Sequence, residues 1–195
     1  MPGTAPGQNV AMSIHQIQVL YDTTADRLLL HMRTGAAEMY SVWLTRRMLS
    51  RLYTPFRSAV TATSVAQTTP RALPVPEARQ MLEQAALDRP LANADFGTPF
   101  VTTDASYPLG PEPLLPDTVD LRPGQGGQIT LTFREPRGRR IEVALSNELS
   151  AALLRLVDSA LVAAQWGLVA SAAGTAVAAA SEGPGEPPRA GRLLN

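Results

Sequence analysis

The chain of 195 residues has no cysteine and no lysine, only two histidines, and few aromatics (four Phe, four Tyr and two Trp). Without cysteine there is no disulfide, no thiolate metal site and no cysteine nucleophile. The two histidines do not converge. His15 is expected on the Ile17/Val19 face of a first strand, opposite roughly Thr34, and His31 on the other face of a second strand, opposite roughly Gln18. No His–carboxylate cluster has metal-ligand spacing, and no Ser-His-Asp assignment has support. No catalytic residue, metal or cofactor is therefore expected, and the chain reads as non-enzymatic. A basic set made entirely of arginine fits a GC-rich genome.

Charge of one sign is also missing. Seventeen basic residues balance seventeen acidic ones, which argues against a globally basic nucleic-acid binder. The balance is uneven, however. Residues 26–57 hold six arginines against Asp26 and Glu38, while residues 77–120 hold two arginines against eight acids. The acidic stretch is a candidate neutraliser of the basic one. The opening residues have no basic patch and no apolar run, so a secretory signal is not expected and a cytoplasmic location is. Met12 opens the first patterned stretch and is a candidate start.

Nor is there a strongly hydrophobic run. Between Asp158 and Glu182 lie 23 uncharged residues, long enough to span a bilayer, but they are mostly Ala, Gly and Ser. A helix ending near Trp166-Gly167, followed by an Ala-rich extension, is expected instead of a membrane span.

What the chain does have is an internal repeat. Residues 28–62 and 129–163 align without a gap at an offset of 101, with eight identities that include Leu30/Leu131, Val42/Val143, Leu44/Leu145 and Leu52/Leu153. Period-two alternation predicts strands through Ile17, Val19 and Tyr21, through Leu28, Leu30 and Met32, and through Tyr40, Val42 and Leu44. Thr45 has N-cap chemistry for a helix that buries Met48, Leu49, Leu52, Phe56 and Val60. Pro55 either kinks that helix or restarts it with Thr54 as cap. The second module repeats this order, with Ile129, Leu131 and Phe133, then Ile141, Val143 and Leu145. Ser146 caps a helix with apolar positions 149, 153, 156, 160 and 161. Residues 118–121 are the candidate for its third strand.

The expected class is α+β, with two tandem antiparallel β-meander-plus-helix modules forming one pseudo-symmetric core. Residues 1–12 form an N-terminal extension and 13–168 a single domain. Within it, module one covers 14–62, a connecting helix (76–88) and a Pro-rich loop lie within 63–126, and module two covers 128–166. Residues 169–195 form an Ala-rich extension and a tail. Phe96, Phe100 and Tyr107 are the candidate anchors of the Pro-rich loop. Deleting 1–11 and 182–195 is expected to leave thermal stability almost unchanged.

PGQGGQ (123–128) leads into a strand. It therefore reads as a turn and not as a phosphate cradle, which opens a helix. Two arginine groups remain as candidate binding residues. Arg46, Arg47 and Arg51 sit in the first turns of helix one, where cations oppose the macrodipole. Module two has Asn147 and Glu148 at the equivalents of Arg46 and Arg47. Arg134, Arg137, Arg139 and Arg140 surround the tip of the second hairpin. These arginines either pair internally with acids or serve an anionic partner.

The run Tyr40-x-x-Trp43-Leu44-Thr45-Arg46-Arg47 resembles the helix start of a family of small uncharacterised bacterial proteins, and Gln165-Trp166-Gly167-Leu168 resembles the ending of its second helix. That resemblance covers residues 14–60 and 128–168 and implies no activity. The tandem topology is analogous to that of purine-rich-element-binding and Whirly-type single-strand binders, although outward aromatics are few, chiefly Trp43. The expected function is protein interaction through a surface, with another protein as partner. The alternative is single-stranded nucleic-acid binding through the hairpin arginines and Trp43. Nothing in the sequence fixes the oligomeric state.

Overall fold

Alternating apolar residues build strands β1 (Ile14–Asp22), β2 (Arg27–Thr34) and β3 (Met39–Thr45), paired antiparallel in that order. The computed structural model describes residues 14–68, 81, 84, 85, 88 and 98–168. Three cross-strand rows make the inner face of this first sheet: Tyr21, Leu28 and Leu44; Val19, Leu30 and Val42; Ile17, Met32 and Tyr40. Helix α1 (Arg46–Thr68) follows, its first turn capped by the Thr45 hydroxyl, which accepts from the Met48 N–H at 3.2 Å. It runs through Pro55 without a break, so of the two readings of Pro55 the restarted helix is excluded.

The second module has the same order. Strands β4 (Thr118–Pro123), β5 (Ile129–Arg134) and β6 (Arg140–Leu145) form a second antiparallel sheet. Its inner rows are Pro123, Ile129 and Leu145; Leu121, Leu131 and Val143; Val119, Phe133 and Ile141. Helix α2 (Asn147–Ala164) is capped by Ser146 and ends where Gln165 turns left-handed at φ 55°. The fold is thus α+β, with two like modules. The offset of 101 holds in register from Leu28/Ile129 onward. In the first strand it becomes 102, because the β4–β5 connection is one residue shorter: five residues separate the paired Pro123 and Ile129, but six separate the paired Tyr21 and Leu28. Gly126 and Gly127 take positive φ there, confirming PGQGGQ as a turn.

The modules are interlocked. α2 packs on β1 and α1 on β4, so each helix covers the first strand of the other module. The helices lie antiparallel, start to end. Arg46 donates to the Trp166 carbonyl just past α2, and Asn147 at the start of α2 accepts from the Ser64 hydroxyl near the end of α1 at 2.9 Å. Arg57 and Asp158 are equivalent positions at the offset of 101, yet they approach each other at 3.8 Å. Equivalent residues can meet only at the pseudo-two-fold axis, so this pair marks it. Tyr53 donates to the same carboxylate at 2.6 Å. Burial and Asp158 push the Tyr53 phenol up to about 12, and burial raises Asp158 as well. All eight residues of the four equivalent pairs Leu30/Leu131, Val42/Val143, Leu44/Leu145 and Leu52/Leu153 lie in a single buried cluster.

Several expectations are corrected. A bulge between Ile14 and Gln16 turns Ile14 inward and leaves His15 exposed, so His15 does not share the Ile17/Val19 face. His31 does lie opposite Gln18 and is held by Ser41 at 2.8 Å and by stacking on Phe100. Tyr107 does not anchor the Pro-rich loop, being 43% exposed. The buried anchor is Leu114, whose N–H and carbonyl bond Ser41 and Trp43, laying this segment along the edge of β3. In α2, Leu149 and Leu156 are only half-buried, while Leu154 and Val157 are buried, because the helix is covered from the α1 side as well as by β1. In the connecting helix only Met81, Gln84, Ala85 and Asp88 are described; they are helical and exposed. Residues 1–12 and 169–195, and with them the expected extensions, and Phe96 lie outside the described residues. Among those described, no helix is long and apolar enough to cross a membrane.

Candidate functional site

The structure sorts the candidate arginines by what neutralises them. At the second hairpin, Arg134 pairs with Asp120 across the strands at 2.7 Å. Arg139 grips Glu135 with two hydrogen bonds of 2.7 and 2.9 Å and also donates to the Glu112 carbonyl at 3.0 Å. That guanidinium holds the Glu135 carboxyl below its usual range. Arg140 pairs with Glu142. Arg137, at the exposed tip, makes no ion pair among the described residues. Trp43 sits far along the chain from this hairpin, half-buried in an outer row with Leu20 and Leu29 on the first sheet.

The helix-one arginines divide in a different way. Arg46 turns toward the junction between modules, donating to the Trp166 carbonyl. There the indole of Trp166 donates to Asp26 at 2.9 Å and the Tyr21 hydroxyl to the same oxygen at 2.9 Å, with the two rings edge to face at 6.0 Å. These hydrogen bonds, Trp166 first, hold the Asp26 carboxyl below its usual range, and the charge of Arg46 adds to the effect. A depressed carboxylate stabilises the fold above its unfolded value of about 4, and the effect is lost as pH falls through the lower folded value. Asp26→Asn keeps an acceptor and removes the charge. Its melting midpoint is expected to lie below the wild type at pH 7, with the gap closing as pH drops below about 4. Melting curves across that range check this, and a gap independent of pH would rule out the charge as the cause.

Arg47 and Arg51 face a groove of about 650 Å³ between α1 and β4. Met48, Leu52 and Pro55 form its helix side; Val119 and Leu121 form its sheet side, with Asp117 on the opposite rim. Among the described residues neither arginine pairs with a carboxylate. The helix spacing of four residues aligns the two guanidinia on one rim, where like charges repel. α1 carries no acid in its first turn, whereas α2 carries Glu148. Replacing both cations should therefore relieve the helix dipole. Arg47→Gln/Arg51→Gln is expected to keep or raise stability by about 0–1 kcal/mol, and thermal melts check it. A clear loss of stability would make them internal ion-pair residues.

Sequence reasoning did not find the β4 side of this groove or the Asp26–Trp166 contact. Both need the cross-module packing, which no local pattern encodes. No group of His, Asp and Glu residues that could hold a metal ion occurs among the described residues. Comparison with protein-family models, curated proteins and solved structures finds no match to this chain.

Proposed function

We propose that the chain is a non-enzymatic protein-interaction module that engages an anionic surface of another protein through Arg47 and Arg51. The observation that carries this reading is the contrast among the candidate arginines, of which Arg137 at the hairpin tip is also without an ion pair among the described residues. Arg134, Arg139 and Arg140 each engage a carboxylate of the same chain, and Arg46 engages a carbonyl. Arg47 and Arg51 instead flank an open groove; Arg47 lies in the first turn, where a cation opposes the helix dipole, and the two, four residues apart, repel each other. A cost in the free chain with no internal gain is what a binding surface entails.

The single-strand reading draws on Arg134, Arg137, Arg139, Arg140 and Trp43. Three of those arginines already have anionic partners, and Trp43 is half-buried. Partner capture from native lysate distinguishes the two. Arg47→Gln/Arg51→Gln is expected to lose the protein that the wild type retains, while Arg137→Gln keeps it. Retention of the same partner by the double variant would overturn the proposal. A salt-dependent shift of single-stranded DNA or RNA would favour the alternative.

A further inference from the structure

We infer that the α1–β4 groove takes a short acidic peptide segment, with two carboxylates set beside apolar anchor residues. The inference rests on the reading above and names the chemistry of the partner. The groove is the size of a ligand cleft, not a flat contact face, at about 650 Å³. Its apolar lining is Met48, Leu52 and Pro55 on the helix with Val119 and Leu121 opposite, beside the hydroxyls of Thr45 and Thr118. No aromatic lines it, so bases find no stacking platform, whereas Leu, Ile or Val side chains find matching surface. Met48 and Leu52, at 8% and 9%, close the helix side of the groove, while Val119 and Leu121 are only partly buried and leave apolar surface for an anchor.

The rim sets the charge of the occupant. Cβ atoms at i and i+4 stand roughly 6 Å apart, so the two guanidinia can reach two carboxylates one helical turn or two extended residues apart. Each planar fork can bind a carboxylate through two hydrogen bonds, which a lysine cannot. Asp117 on the other rim repels an acid placed there, so the acidic end of the segment lies along α1 and its anchors reach toward β4.

The repeat supplies an internal control. At the equivalents of Arg47, Arg51 and Pro55, helix α2 carries Glu148, Ala152 and Leu156. There the helix packs along β1, whose Ile17 and Val19 are partly buried on the core. The scaffold therefore tolerates a seam without arginines, and the basic groove belongs to module one as a local departure from the repeat.

The test pans a phage-displayed library of random dodecapeptides on the intact chain and measures synthetic versions of the winners by fluorescence anisotropy. Enriched peptides are expected to pair Asp or Glu with Leu, Ile, Val or Met. They should bind Arg47→Gln/Arg51→Gln at least roughly tenfold more weakly, the loss of about 1.4 kcal/mol that one or two charge-assisted hydrogen bonds supply. Melting curves of the variant establish that it is folded. Peptides that need the two arginines but show no acidic bias would overturn the acidic class and leave the groove as the interaction surface. Peptides that bind the double variant as tightly as the wild type, or no enrichment over a blank surface, would overturn the inference. If partner capture from lysate still required the arginines, the broader proposal would survive that failure.

Discussion

Leu44→Ala and Leu145→Ala are each expected to lower the free energy of unfolding by roughly 2–5 kcal/mol, the cost of truncating a buried leucine in a core that cannot fully collapse around the hole. The two residues are equivalent positions of the repeat, 3% and 0% exposed. Leu44 stands in a row with Leu28 and Tyr21, and Leu145 in a row with Ile129 and Pro123. Both rows feed the same interior. A void of only about 20 Å³ is lined by Leu30 and Leu44 of the first module together with Leu131 and Phe133 of the second. Each truncation should therefore move the whole denaturation curve to lower urea concentration as one transition. Urea melts followed by two probes, backbone circular dichroism and tryptophan fluorescence, make the comparison. A loss below about 1 kcal/mol at either site would mean that its side chain is not packed as described. A biphasic curve, in which only one module yields, would break the claim of a common core.

The strands were legible because one face of each sheet is buried and the other is largely not, Thr132 being a buried residue on the outer face. Alternation at Leu28, Leu30 and Met32, and at Ile129, Leu131 and Phe133, is the imprint of that asymmetry. The helix starts were legible because Thr45 and Ser146 each hold a free amide of the first turn. What failed depended on partners remote in the chain. The burial of Leu154 and Val157 comes from the α1 side of α2, and a period read along α2 alone undercounts a helix covered from two sides. The bulge at His15 adds one residue to a strand and reverses the facing of everything before it, with no residue type to announce it. The strap on β3 depends on Leu114, an ordinary leucine among prolines. For the candidate site, the sequence contained half of the answer. Arg46, Arg47 and Arg51 stood out together, because cations at a helix start oppose its dipole and Arg47 and Arg51 repel, both local properties. Val119, Leu121 and Asp117 could join them only once α1 was known to lie on the first strand of the other module. The repeat did hold a clue to that arrangement: Arg57 and Asp158, opposite in charge at equivalent positions, are what a pseudo-two-fold contact between helices would select.

Severing the chain between the modules is expected to abolish folding of both parts. Residues 1–97 would retain β1, β2, β3 and α1, but lose α2 from the face of β1 and the 98–117 segment from the edge of β3. Residues 98–195 would retain β4, β5, β6 and α2, but lose α1 from β4. In each part an amphipathic helix would keep its apolar face without the sheet that it covers in the intact chain. The Asp26–Trp166 and Tyr53–Asp158 contacts would also be cut. A three-stranded sheet and one displaced helix offer little core: in the first part these elements occupy only 14–68, and a unit of about 60 residues is marginal on its own. Neither part alone, at low micromolar concentration, should show a cooperative thermal transition, whereas mixing them in equal amounts should restore one whose midpoint rises with concentration. Because the modules are alike, a part that does fold should do so by pairing with a second copy of itself about the same axis, again with a concentration-dependent midpoint. The decisive comparison is the melting of each part over a hundredfold dilution. A sharp transition whose midpoint ignores dilution would show a module that needs no partner, and the interlocked core described here would give way to two separate domains.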